Sequence, residues 1–131
     1  MKATIIIEKA KDGYFSCYMQ DEKFDFGLIG HGETAAGAKN DLLAAYEEIK
    51  KLKREEGEAV PELNFEFKYD LQSFFDYFKF INVSKLAEEA GINPSLLRQY
   101  NSGSVKAGQK QYDKLQACIR RIGHELITAK F

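Results

Sequence analysis

Four side chains that can hydrogen-bond to DNA bases are spaced for one face of a short helix. They are Ser95, Arg98, Gln99 and Ser102, which stand three, four or seven residues apart. Residues at these intervals lie on the same side of an α-helix. Arg and Gln can each bond two atoms of guanine or adenine at once in the major groove. The chemistry that this spacing suggests is the reading of a DNA sequence.

A helix that presents such a face needs a small core behind it. Gly91 separates two short helical patterns within residues 83–103, and Asn93 is a good N-cap for the second, with Pro94 at its first position. Apolar residues at helical spacing supply the shared inner face: Leu86, Ala87, Ala90, Ile92, Leu97 and Tyr100. Two helices joined by a sharp turn that contains Gly are typical of a helix-turn-helix.

The segment after this pair of helices suits the phosphates of a nucleic acid. Gly103 ends the second helix, and Ser104, Lys106 and Lys110 then lead into a long amphipathic helix. Lysines and the free N–H groups of a helix start both bind phosphate oxygens. Residues 82–131 carry eight Lys or Arg and four Asp or Glu, a charge of +4, whereas residues 1–81 carry −5. We expect the basic end to approach a polyanion and the acidic end to meet a basic partner.

Residues 83–103 resemble the helix-turn-helix of lambda-repressor-like (Cro-type) DNA-binding domains, in the pattern L-A-x-x-A-G-I-N-x-S-x-L-x-x-Y-x-S-G. By that resemblance the domain runs from about residue 70 to residue 130 and begins with an aromatic helix. The resemblance implies base contacts by Ser95, Arg98, Gln99 and Asn93, with Ser84 near a phosphate. Such domains often carry Gln where this chain has Val83-Ser84. The alternatives are a helical hairpin that packs only on its own domain and a protein-binding use of the same fold.

The first half of the chain predicts a small antiparallel sheet with one long helix. Strands at 3–8 and 14–19 flank a Lys-Asp-Gly turn, and Phe24, Phe26 and Leu28 alternate as a third strand before the Gly-rich residues 30–33. Thr34 can cap a helix whose apolar face is Ala38, Leu42, Ala45, Tyr46, Ile49 and Leu52. A fourth strand at 63–69 either completes the sheet or pairs across a dimer. Asp70 can cap an aromatic helix from Leu71 to Ile81, which is predicted to be core, with part of it available as a dimer face.

This order of elements resembles the HicB antitoxin family. The residues that carry the resemblance are Asp12-Gly13-Tyr14-Phe15, then Gly30-His31-Gly32-Glu33-Thr34 and a helix containing Ala38 and Ala45. It implies a partial RNase H fold that dimerises and masks HicA, a small basic mRNA-cleaving toxin, while a DNA-binding tail represses the operon. Residues 20–25 depart from the Pro- and Asp-rich segment that is usual before the Gly turn, so a solitary regulator is the other interpretation.

Catalytic and metal chemistry find little support in the sequence. Glu8, Asp25 and Glu33 are the carboxylates available for a nuclease, but nothing in their spacing makes them converge on a metal. His31 lies in a Gly-rich turn before a helix, where it is either an anion ligand or, more typically, an exposed turn residue. His124 has no second metal ligand nearby, and Cys17 and Cys118 fit small core residues in a reducing compartment. No segment is long and apolar enough for a signal peptide or a bilayer span. We therefore expect a cytoplasmic protein that is not an enzyme and that needs no cofactor or metal.

The sequence thus predicts an α+β protein with two domains. Residues 1–69 form a HicB-like sheet-and-helix domain for dimerisation and toxin binding, and residues 70–131 form an all-helical helix-turn-helix domain. The expected function is sequence-specific DNA binding by a homodimer or higher homo-oligomer that acts as an antitoxin or transcriptional repressor, without a membrane. The alternative is a protein-binding adaptor or toxin-neutralising module that binds no DNA. The predicted DNA-binding residues are Ser84, Asn93, Ser95, Arg98, Gln99, Ser102, Ser104, Lys106 and Lys110.

Overall fold

The computed structural model describes all 131 residues and shows a mixed α+β fold. Its elements are β1 (Lys2–Lys9), β2 (Phe15–Met19), β3 (Ile29–Gly32), α1 (Ala35–Glu55), β4 (Asn64–Tyr69), α2 (Leu71–Tyr77), α3 (Val83–Ala90), α4 (Pro94–Ser102) and α5 (Gln109–Thr128). The chain divides into two compact units, Met1–Phe78 and Lys79–Phe131. The first contains the sheet, and the second contains only helices.

The sheet has four strands in the order β3-β2-β1-β4. The predicted hairpin of β1 and β2 is confirmed, with Gly13 at φ +89° in its turn. The fourth strand is also confirmed, and it completes the sheet beside β1. It runs parallel to β1, however, so the sheet is mixed. The first three strands are antiparallel, as predicted, but the expectation that the whole sheet is antiparallel was wrong. The reason is that α1 carries the chain back across the sheet between β3 and β4, and a crossover of this kind produces parallel strands.

The third strand lies later in the chain than its alternating pattern predicted. β3 covers Ile29–Gly32, whereas Phe24 and Phe26 pack against the core from a loop. The Gly-rich segment forms the strand because α1 lies directly on it. A Cβ added to Gly30 would be 2.4 Å from the Ala38 carbonyl oxygen, and one added to Gly32 would be 2.5 Å from the Ala38 nitrogen. Backbone can approach backbone this closely only where side chains are absent.

Helix α1 covers one face of the sheet through its predicted apolar side. The Thr34 hydroxyl caps the helix by accepting a hydrogen bond from the Gly37 N–H at 2.9 Å. Ala38, Leu42 and Tyr46 are buried against the inward residues of β1 and β2. Leu52 was placed on the same face but is 58% exposed.

The aromatic helix α2 belongs to the first unit. Its Asp70 cap is confirmed, since a carboxylate oxygen of Asp70 accepts from the Ser73 N–H at 2.8 Å. The Ser73 hydroxyl donates to the Ile7 carbonyl at 2.8 Å, and Asp76 accepts from the Ala35 N–H at 2.8 Å. These bonds attach α2 to β1 and to α1. The first compact unit therefore includes α2 and ends at Phe78.

The second unit consists of α3, α4 and α5 around a small apolar core. Gly91 ends α3 at φ +70°, and Gly103 ends α4 at φ +82°, so both turns use the left-handed conformation that favours glycine. The buried side chains are Leu86, Ala87, Ile92, Leu97, Tyr100, Leu115 and Cys118. Two short helices thus share an inner face, as the sequence predicted. None of the helices combines the length and the apolar composition needed to cross a bilayer.

Candidate nucleic-acid interface

Helix α4 is held at its start and on its inner face, which leaves its outer face exposed. The Asn93 side-chain oxygen accepts from the N–H groups of Ser95 at 2.9 Å and Leu96 at 3.2 Å. Leu97 and Tyr100 are buried against the neighbouring helices. On the opposite side the structure brings three predicted residues together as an exposed row: Ser95, Arg98 and Gln99. We call this row the α4 ridge.

A side-chain hydrogen bond joins the α4 ridge to the first turn of α3. Arg98 Nη1 donates to Ser84 Oγ at 2.6 Å, across 14 residues of sequence. Ser84 lies just after Asn82, whose side chain caps α3 by accepting from the Lys85 N–H at 2.9 Å. The guanidinium has five N–H donors in a fixed plane. The bond to Ser84 therefore restricts the plane of the guanidinium while leaving further donors for a ligand.

Ser102 and Ser104 are exposed, but their hydroxyls bond within the chain. Both donate to the Gln99 carbonyl oxygen, at 3.0 Å and 3.3 Å, and their own oxygens are 2.9 Å apart. The Ser104 N–H donates to the same carbonyl at 3.1 Å. These bonds satisfy a carbonyl that the end of α4 leaves without a helical partner. The two serines close the turn after α4, a role that the sequence did not predict.

The start of α5 offers free donors beside two lysines. Gly108 precedes the helix and supplies no side-chain cap, and the N–H groups of Gln109 and Lys110 have no acceptor in the chain. Lys106 and Lys110 are both exposed. The N-terminus of a helix carries a partial positive charge that favours anions. Both lysines and the start of α5 are therefore accessible to an anion, and their contact with phosphate stays a prediction.

Positive charge in the second unit is unevenly neutralised. The unit has nine Lys or Arg and four Asp or Glu, a formal charge of +5 against −6 in the first unit. Its ion pairs involve Lys85 and Arg121. Glu89 lies 3.2 Å from Arg121 and raises the pKa of that guanidinium through their hydrogen bond. Arg98, Lys106 and Lys110 have no acidic partner, so their charge is available to an anion.

Comparisons with protein-family models, with curated proteins and with solved structures found no match to this chain.

No group of three or more His, Cys, Asp or Glu is placed to hold a metal ion. Asp25 accepts a hydrogen bond from Lys53 at 2.7 Å, which lowers the pKa of Asp25. Glu8, Glu33, His31 and His124 are exposed, and Cys17 and Cys118 are buried free thiols. The residue pair that sequence reasoning missed is Ser84 with Arg98. Its spacing of 14 residues becomes a contact only through the turn at Gly91.

Proposed function

We propose that this chain is a sequence-specific DNA-binding protein that acts as a dimer, with α4 as its recognition helix. The observation that carries the proposal is the α4 ridge: three residues able to bond base edges are exposed together, opposite the buried Leu97 and Tyr100. Ser95 lies at the start of α4, where recognition helices commonly reach bases. Arg98 would read guanine, and Gln99 would read adenine.

Phosphate contacts in this proposal come from the residues around the ridge. Lys106, Lys110 and the start of α5 would bind the backbone and fix the register of α4 on the duplex. Ser84 and Asn93 would have an indirect part, because one orients Arg98 and the other caps α4. Ser102 and Ser104 would shape the turn that leads from α4 towards Lys106.

The first unit supports a regulatory interpretation of the resemblance to the HicB family. Its charge of −6 complements a small basic protein such as a HicA-like toxin. We propose that this unit assembles the dimer and neutralises such a toxin, while the second unit represses transcription. The alternative in which the chain binds only a protein partner uses the same acidic surface and needs no DNA.

Site selection from a random duplex library, with the full-length chain, tests the DNA proposal. We expect a consensus whose half-sites are separated by whole helical turns, which is the spacing that a twofold dimer imposes. Equal affinity for all duplexes after repeated selection would contradict the proposal and favour the protein-binding alternative. A short neighbouring gene for a basic protein, and the capture of that protein by the chain, would test toxin neutralisation separately.

A further inference from the structure

The two outer edges of the sheet differ in how their backbone groups are used. On β3, which has only four residues, the outward N–H of His31 donates to the Asp41 carboxylate at 2.9 Å. A short strand with a blocked donor is protected from pairing with another chain. β4 is longer, with six residues, and lies at the opposite edge. β4 is therefore the edge that is more open to an additional strand.

The hydrogen-bond pattern shows which groups of β4 face outwards. The N–H groups of Asn64 and Asp70 donate to the Met1 and Ile7 carbonyls of β1 at 2.8 Å and 3.1 Å. Because alternate residues of a strand bond the same neighbour, Glu66 and Lys68 also bond towards β1. The N–H and C=O groups of Phe65, Phe67 and Tyr69 then point away from the sheet, and their side chains are only partly buried.

Two copies of β4 that run antiparallel and are centred on Phe67 place compatible residues opposite each other. When two copies run antiparallel with Phe67 opposite Phe67, Phe65 lies opposite Tyr69 and Glu66 lies opposite Lys68. In this register the outward N–H and C=O groups of the three aromatic residues in one copy hydrogen-bond to those of the other copy. The acidic residue of each copy meets the basic residue of the other on the sheet face away from α1, and Glu66 keeps its ion pair with Lys2.

The aromatic residues of β4 would be covered in the same arrangement. They point to the α1 side of the sheet, where the Lys39 ammonium lies 4.0 Å from the centre of the Phe67 ring and the Tyr46 ring is 5.2 Å from that of Phe65. Directly opposite side chains on antiparallel strands have Cβ atoms about 4.5–5.5 Å apart. Phe67 of each copy would therefore pack against its equivalent.

We infer that β4 pairs antiparallel with β4 of a second copy of this chain, in register at Phe67, to give one continuous eight-stranded sheet. This inference takes the dimer from the proposed function and supplies its surface. The inference depends on the sheet alone, so a measurement of DNA binding neither supports nor contradicts it.

Charge reversal with rescue tests the pairing. Sedimentation equilibrium of the full-length chain should show a dimer whose dissociation constant rises by about tenfold in Glu66→Lys or Lys68→Glu, because like charges then face each other. The double variant E66K/K68E should return to within about threefold of the unsubstituted chain, since it restores opposite charges. The matched control is Glu8→Lys, an exposed position on β1 at which the dissociation constant should not change.

Cross-linking tests the register and does not depend on how reversed charges are tolerated. A mixture of Glu66→Cys and Lys68→Cys chains, oxidised with oxidised glutathione, should form a disulfide-linked dimer. Either variant alone should give at least about fivefold less disulfide-linked dimer, because residues two positions off register have Cα atoms more than about 7 Å apart. Cys17 and Cys118 are buried in the fold and are present in every sample, so any cross-linking through them gives the same background level.

Three results would overturn the inference: a monomer at all concentrations, a dimer insensitive to both single reversals, or cross-linking that is equal in the mixed and unmixed samples. If the chain is a monomer, the charges of Glu66 and Lys68 would instead keep the exposed edge of β4 from pairing with other chains. The absence of any selected DNA site would contradict the proposed function and leave a positive cross-linking result unchanged.

Discussion

Arg98 Nη1 and Ser84 Oγ are 2.6 Å apart, so a hydrogen bond from a residue of α3 restricts the position of a side chain on α4. Arg98 is exposed, and an unsupported side chain of this length would sample many rotamers. The bond reduces that freedom before any ligand arrives, which lowers the entropy lost on binding. In the proposed complex with DNA, Ser84 would therefore act as a positioning residue for Arg98.

Loss of the Arg98 side chain should weaken DNA binding mainly at one base position. We expect Arg98→Ala to reduce affinity by about 1–3 kcal/mol there, because a bidentate contact is lost. Ser84→Ala should produce a smaller loss at the same position, and Ser84→Thr, which keeps the hydroxyl, should restore it. The measurement is affinity for the selected site and its single-base variants.

A double-mutant cycle separates positioning from direct contact. If Ser84 acts through Arg98, adding Ser84→Ala to Arg98→Ala should produce little further loss. Independent, additive losses would show that Ser84 contacts DNA by itself. Ser84→Ala with full affinity and an unchanged base preference would show that the bond has no part in recognition.

Lysine substitutions near α5 should affect all DNA sequences alike. Lys110→Ala is expected to weaken selected and random duplexes equally and to reduce the slope of log affinity against log salt by about one, because one phosphate contact is lost. Lys130→Ala is the matched control, since it removes an exposed lysine beyond the end of α5. A Lys110 effect confined to one base position would contradict a phosphate contact.

Local signals in the sequence were sufficient to predict the second unit. Asn93, Pro94, Gly91 and Gly103 each determine the conformation of residues a few positions away, and the Asn93 cap, the first-turn proline and the two glycine turns that they predicted are present. The bond between Ser84 and Arg98 was not predictable in this way. It depends on the angle between two helices, which no residue encodes by itself.

Long-range packing explains the errors in the first unit. Phe24, Phe26 and Leu28 alternate as a strand would, yet the two Phe side chains pack on the core from a loop and only Leu28 adjoins β3. The true strand has glycines at its inward positions because α1 takes the place of side chains. A pattern search looks for apolar side chains, so it cannot detect a strand whose packing requires that they be absent.

Adding a single methyl group to β3 should therefore disrupt the first unit. Gly30→Ala would place a Cβ 2.4 Å from the Ala38 carbonyl oxygen and 2.6 Å from the Leu42 nitrogen, both backbone atoms of α1. We expect a loss of about 3 kcal/mol or more in the free energy of unfolding, since overpacking against backbone forces the helix to move. Gly27→Ala is the control, because nothing lies within 4 Å of its added Cβ. Urea denaturation of both variants measures the difference, and equal stability would show that α1 does not contact β3 so closely.

The stability of the first unit should fall at alkaline pH through Cys17. Burial, the largest cause, and the nearby Asp41 carboxylate raise the pKa of Cys17 to about 11, and its thiol donates to the Ala38 carbonyl at 3.0 Å. Because the folded state holds this proton more tightly than the unfolded chain, the contribution is fully present below the ordinary thiol pKa of 9.0. It is lost as the pH rises towards 11. Between pH 8 and pH 10.5 the unsubstituted chain should lose about 1–2 kcal/mol more than Cys17→Ala. Urea titrations at the two pH values check this, and identical losses in both proteins would show that Cys17 does not titrate differently on folding.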